Sequence, residues 1–249
     1  METPRPFKTR QPKQHGAHRL YALLRMAVKL GDWDPSTPID ERRLSNEWLF
    51  SRAEVREVLR LLTEEGLLTR QVSIGTFVAA APVPIDLFDF TSLDPRFHLT
   101  RRQTDKFVID DGEFLSSKFG ASGTLVVTEH HLMMNDEIVA VNTAFSPTGA
   151  KSGRTRFEEV EHQVPLTGQF PVEYGVDFGG IEISVDSRMA DAQVAALLDV
   201  EAGAPILMRD QVLSDDTGKV WEYSLSQWRA DRVVFRAQRR VVDAGTQAD

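Results

Sequence analysis

Apolar residues at Val55, Val58, Leu59 and Leu62 recur at spacings of three, one and three, which gathers them on one stripe of a helix and leaves Arg52, Arg56 and Arg60 on other faces. Ser51 is a favourable N-cap and Glu54 follows three residues later, so an S-x-x-E capping box places the helix start near Arg52. Gly66 ends the stripe, Leu67 and Leu68 open a strand, and Gly75 precedes the returning residues Thr76, Phe77 and Val78. With a short helix and a tight turn upstream, residues 40–78 spell a winged helix-turn-helix. A helix with basic residues in its first turns suits entry into the major groove, where arginine bonds guanine edges or phosphates. The same pattern fits a surface helix with solvated arginines followed by a hairpin, and helix-turn-helix geometry also serves protein contacts.

Downstream the periodicity changes. Residues 79–84, Ala-Ala-Ala-Pro-Val-Pro, carry no helical stripe and read as a linker. Residues 85–111 are irregular, with Leu87, Phe88 and Phe90 as an apolar cluster docking on one of the domains. Beyond them the chain alternates: a short helix at 113–119, strands at 125–134 and 138–145 joined at Asn135-Asp136, a helix or ordered loop at 154–166, a strand at 179–185 and a helix at 190–198. Segments 205–213, 220–228 and 232–241 then predict three antiparallel strands, the first pair turning at residues 215–218. Hairpins interrupted by helices imply an α+β domain built on an antiparallel sheet. On strand 220–228, alternation puts Trp221, Tyr223 and Leu225 on one face and Glu222, Ser224, Ser226 and Trp228 on the other. The second face is too polar for ordinary core; it either lines a ligand cavity or faces solvent on an open sheet.

Length permits one or two domains at 249 residues, and the change of pattern favours two. The expected division is an arm at 1–15, a winged helix-turn-helix at 16–79, a linker at 80–90 and an effector-binding, dimerising domain at 91–243. The arm, with Arg5, Lys8, Arg10, Lys13 and three prolines, is expected to be disordered in isolation. The net charge of -8 alone argues against a polyanion partner, but residues 1–80 hold thirteen Lys and Arg against ten Asp and Glu, while the remainder holds sixteen against twenty-seven. A mildly basic head on an acidic body predicts DNA binding through a few placed contacts, steeply weakened by salt. Zero cysteines exclude disulfides and thiolate metal sites, and no segment offers the ~18 uninterrupted apolar residues of a membrane span, so a cytoplasmic location is the simplest expectation.

The head resembles the GntR family of bacterial transcription regulators over about forty residues: E-R-x-L at 41–44, S-R-x-x-V-R at 51–56, E-G-L-L at 65–68 and G-T-F-V at 75–78. The resemblance implies operator contacts by Arg42, Arg52 and Arg56 and a wing near the minor groove. Arg43, Glu54, Gly75 and Thr76 complete the expected DNA-facing set. Three departures stand out. Leu49 occupies a turn position where the family usually has glycine, and Val72 and Ile74 sit in a wing that is often glycine-rich. Glu54 replaces a small hydroxyl residue, and it either accepts from a cytosine amino group or closes the capping box, the reading favoured here.

Residues 85–242 resemble the UTRA effector-binding domain, the chorismate-lyase-like module of the HutC subgroup, through N-D-E-I-V at 135–139, A-x-x-A-x-L-L-x-V-x-x-G-x-P-I-L ending at Leu207, D-x-x-G-x-x-W-E-Y-S ending at Ser224 and A-D-R-V-V-F at 230–235. This implies an effector site using Glu222 and an aromatic near Trp228, with Ser224, Asn142, Arg209, His131 and Glu129 as further candidates. Where sugar-phosphate-binding members place arginines on the strand before the first hairpin, this chain has Glu129, His130 and His131, and it has Asn142 where they have an acidic residue. A phosphorylated sugar is therefore disfavoured against a neutral, cationic or weakly anionic metabolite. Arg209 is either an anion partner or a cross-strand ion-pair partner. His130 and His131, adjacent on a strand, face opposite ways and do not make a metal site, so neither metal nor cofactor is expected. Glu222 with His131 could be drawn as an acid–base pair of a chorismate-lyase-like enzyme, and a dimerisation module that senses nothing is a third reading. The expected function is a homodimeric regulator, most simply a repressor, that binds a palindromic double-stranded DNA operator under control of a small-molecule effector and is not an enzyme.

Overall fold

The computed structural model describes residues 16–47, 50–79, 82–110, 117–120, 123–148, 160–161 and 165–238. The N-terminal arm, Leu49 and most of the segments 113–119 and 154–166 lie outside them. The chain divides into two compact units with the boundary between Ala81 and Pro82. Among the described residues no helix is long and apolar enough to cross a membrane.

In the first unit, helix α1 (Gly16–Leu30) precedes the segment that sequence patterning resolved, followed by α2 (Glu41–Glu47), α3 (Arg52–Glu64) and a hairpin of β1 (Leu68–Gln71) with β2 (Gly75–Val78). Leu20, Leu24 and Val28 lie four residues apart on α1 and pack against Val55, Val58, Leu59 and Leu62 of α3, with Leu44, Leu67 and Val78 closing the core. Both halves of the capping box form: Ser51 Oγ accepts from the Glu54 N–H, and the Glu54 carboxylate accepts from the Ser51 N–H at 2.9 Å. Asp40 caps α2 in the same way, accepting from the N–H groups of Arg42 and Arg43. Gly75 has φ +147, and a Cβ there would stand 3.0 Å from Pro38 Cβ, so the wing closes against the segment before α2 only with glycine at this position.

The second unit is built on a seven-stranded antiparallel sheet in the order β7-β4-β5-β6-β10-β9-β8. Its strands are β4 (Leu99–Asp110), β5 (Thr124–Met134), β6 (Glu137–Pro147), β7 (Val160–Glu161), β8 (Phe178–Met189), β9 (Pro205–Asp215) and β10 (Val220–Arg229). Asn135 and Asp136, at φ 50 and 65, make the expected two-residue turn between β5 and β6. Helix α4 (Leu166–Tyr174) packs on one face of the sheet through Phe170 and Tyr174, and α5 (Ala192–Leu198) packs on the other through Val194, Ala195 and Leu198.

Two expectations are corrected here. Residues 83–86 are not linker: β3 (Val83–Asp86) buries Val83 and Ile85, and the prolines on either side of Val83 hid that two-residue apolar period. Nor does 232–241 form a third antiparallel strand, because β11 (Val233–Arg236) pairs parallel with β3, apart from the main sheet. Residues 239–241 lie outside the described set.

Candidate functional site

On the head, Arg42, Arg43 and Arg52 are exposed on the first turns of α2 and α3. Arg56 is exposed as well, its Nε 3.5 Å from the Glu41 carboxylate, an ion pair that ties α2 to α3 and contributes little in water. Arg60, by contrast, is bracketed by Glu57 at 2.7 Å and by Glu64. Glu41, Arg56, Arg60, Arg70 and Thr76 line one open concavity shared by α2, α3 and the wing. Arg70 was missed by sequence reasoning, although its place on the short wing strand was legible. Glu54 is engaged in its cap, which supports the capping reading of that residue. Thr76 is largely buried at the edge of that concavity and Gly75 is packed against Pro38, so both hold the wing in place. The tip instead exposes Val72 and Ile74, at 88% and 67%.

In the sheet unit, a narrow cleft opens between α4 and the sheet, lined by Phe90, Arg101, Asn142, Tyr174, Gln211 and Glu222 among others. Glu222 accepts from three donors: Tyr174 Oη at 2.6 Å on one oxygen, and Gln211 Nε2 and Ser224 Oγ, each at 2.8 Å, on the other. Gln211 Oε1 in turn accepts from Arg209 Nη1 at 2.7 Å. An arginine only donates and a carboxylate only accepts, so the Gln211 amide has one permitted orientation. Arg209 is fully buried, its Nε and Nη2 donate to the Leu87 carbonyl oxygen, and its guanidinium lies 3.8 Å from the Phe90 ring centroid. Burial pushes the Arg209 guanidinium down to about 9, which leaves it protonated at neutral pH. Burial, reinforced by the Glu222 charge, drives the Tyr174 hydroxyl well above its ordinary value, so it stays a donor.

The expected effector residues separate into groups. Glu222 and Asn142 line the cleft, with Ser224 and Arg209 behind them holding the network. Trp228 does not line it: fully buried, it lies stacked beneath Phe90 at 5.6 Å, and Phe90 takes the aromatic place in the wall. His131 and Glu129 point the other way, into a separate depression beside α5. Their register explains this, since His130 pairs with Asn142 and Asn142 with Ser226, placing His131 and Glu129 on the opposite pleat. Arg209 makes no cross-strand ion pair among the described residues; its partners are a carbonyl, an amide and a ring. A further correction concerns Trp221. A bulge between Val220 and Glu222 breaks strict alternation, so Trp221 and Glu222 both face α4, the indole 5.9 Å from Tyr174 and bonded to Asp215. Tyr174, Gln211 and Arg101 were missed; Arg101 comes from β4, a strand whose sequence has no clean apolar alternation.

Residues 17–78 match the family model for bacterial regulatory proteins of the gntR family, and residues 125–234 match the UTRA domain. The chain belongs to the GntR family. As a GntR regulator with a UTRA domain it is a DNA-binding transcription regulator of the HutC type. It is 24% identical over 227 residues to the HTH-type transcriptional repressor NagR of Bacillus subtilis, covering 88% of this chain and 92% of that one. It is 26% identical over 203 residues to the histidine utilization repressor of Pseudomonas putida, covering 76% and 78%. The crystal structure of PhnF from Mycobacterium smegmatis superposes with a TM-score of 0.59 at 22% identity, covering 89% of this chain and 99% of that one, which shows the shared fold.

Proposed function

We propose that this GntR regulator is a cytoplasmic homodimeric repressor whose affinity for a palindromic operator is set by a small molecule held in the cleft over Glu222. The observation that carries this reading is the continuous network from Glu222 through Gln211 and Arg209 to the Leu87 carbonyl and the Phe90 ring. A molecule bonding Glu222 acts on groups that hold residues 87–90, which directly follow β3 at the start of the second unit. Asp89 joins the same arrangement, accepting from the Leu166 N–H at 2.8 Å and so capping α4, a wall of the cleft. Coupling then requires that the ligand bind one dimer state better than the other, since equal affinity shifts nothing. Paired heads of this type read half-sites about one DNA turn, or a multiple, apart.

Ligand sensing is favoured over catalysis because the one acid–base pair suggested by the sequence, Glu222 with His131, is divided between opposite faces of the sheet. Replacing Glu222→Gln keeps an acceptor for Tyr174 but removes the charge. It should still retard an operator fragment while its release by a small-molecule cell extract falls about tenfold or more, the weight of a hydrogen bond to a charged group. Unchanged release in a gel-shift titration would place the effector elsewhere.

A further inference from the structure

We propose, resting on the sensor reading above, that the cleft selects a small zwitterion, with a carboxylate held by Arg101 and Asn142 and a cationic nitrogen directed at Glu222. Arg101 is half-buried in the cleft wall, and its side chain makes no hydrogen bond or ion pair among the described residues. The Asn142 amide is uncommitted in the same sense. These are donors without a present task, and a guanidinium matches a carboxylate in two parallel bonds. The opposite requirement comes from Glu222 and Glu173, which line the same space. Glu222 Oε2 has one donor, Tyr174, and keeps acceptor capacity towards the cleft.

Charge then decides between ligand classes. The lining holds one guanidinium against two carboxylates, and Arg209 cannot add to it, being fully buried with its donors turned to Leu87 and Gln211. A phosphate dianion would meet one cation and two like charges, whereas a molecule with one charge of each sign finds a partner for both. Arg101, Asn142 and Glu222 line the same cleft, and the Tyr174 hydroxyl bonded to Glu222 lines it too, so one small molecule can address both poles. Between them the walls are Phe90, Leu132, Leu166, Phe170 and Leu213, which suits an apolar middle.

The test is thermal stabilisation of the full chain by four probes: 4-(aminomethyl)benzoate, its single-charge analogues benzylamine and benzoate, and glucose 6-phosphate. The zwitterion is expected to raise Tm by about 5 °C or more at about a hundredfold excess over its Kd, and more than any other probe. In Arg101→Gln that advantage should disappear while the shift from benzylamine is unchanged. A larger shift with benzoate or with glucose 6-phosphate, or no shift with any of the four, overturns the assignment. Operator release by a small-molecule cell extract would in those cases leave the sensor reading standing, and its absence would remove both.

Discussion

Trp228→Ala is expected to cost the sheet unit about 3–5 kcal/mol, the usual penalty for deleting a buried large aromatic. The indole is entirely buried, stacked on Phe90 at 5.6 Å and 13°, met edge-on by Phe235 at 5.2 Å and 79°, and its Nε1 donates to Ser226 Oγ at 2.8 Å. Removing it leaves a cavity, deprives Ser226 of a partner and takes away the surface that keeps Phe90 in the cleft wall. The rings of Phe90 and Phe235 come from segments on either side of the main sheet in sequence, so the surrounding structure cannot collapse into the void without moving β3 and β11. Urea denaturation followed by circular dichroism measures the loss. A change below about 1 kcal/mol would fall outside the range for such a truncation and would show that Trp228 does not anchor this core.

Arg52→Ala is expected to weaken operator binding by about 1–3 kcal/mol, the discrimination carried by one well-placed arginine on a base edge. Its neighbours on α3 are spoken for: Arg56 is paired with Glu41, and Arg60 with Glu57 and Glu64. Arg52 makes no side-chain hydrogen bond or ion pair among the described residues, and the capping box fixes the backbone from which it projects. A contact from Arg52 to DNA would therefore cost no internal contact. Fluorescence anisotropy on an operator fragment at several salt concentrations separates two modes of contact. A base contact changes affinity and sequence preference, whereas a phosphate contact lowers the salt slope by about one. Arg60→Ala serves as the comparison and should change little. Equal affinity in Arg52→Ala and the parent would remove α3 as the reading helix.

The head was legible because its signals are local. Ser51 and Glu54 lie three residues apart and satisfy each other, and the apolar stripe of α3 is complete within two turns. Helix α4 gave no such signal. Its nine residues include Gly168 and Pro171, its N-cap Pro165 offers no side-chain bond, and the group that does cap it, Asp89, lies 77 residues earlier. Strand β4 was hidden because its residues are mostly partly or fully exposed, leaving no apolar alternation to read. The cleft inherits both blind spots: Tyr174 comes from α4 and Arg101 from β4, while Glu222, on a strand with a clear pattern, was found. Even there, alternation misplaced Trp221, because one bulged residue reverses the facing of what precedes it.

Phe90 has φ 56, a left-handed conformation in which a bulky side chain is held at a cost of about 1–3 kcal/mol. Glycine would relax the backbone but discard the ring that rests on Trp228 and receives Arg209. A non-aromatic side chain would lose both ring contacts. Phe88, two positions earlier and 45% exposed, carries neither obligation. Within a single turn, then, one phenylalanine is held by two ring contacts and the other by neither, so a redesign of ligand preference has more room in the cleft around position 90 than at that position itself.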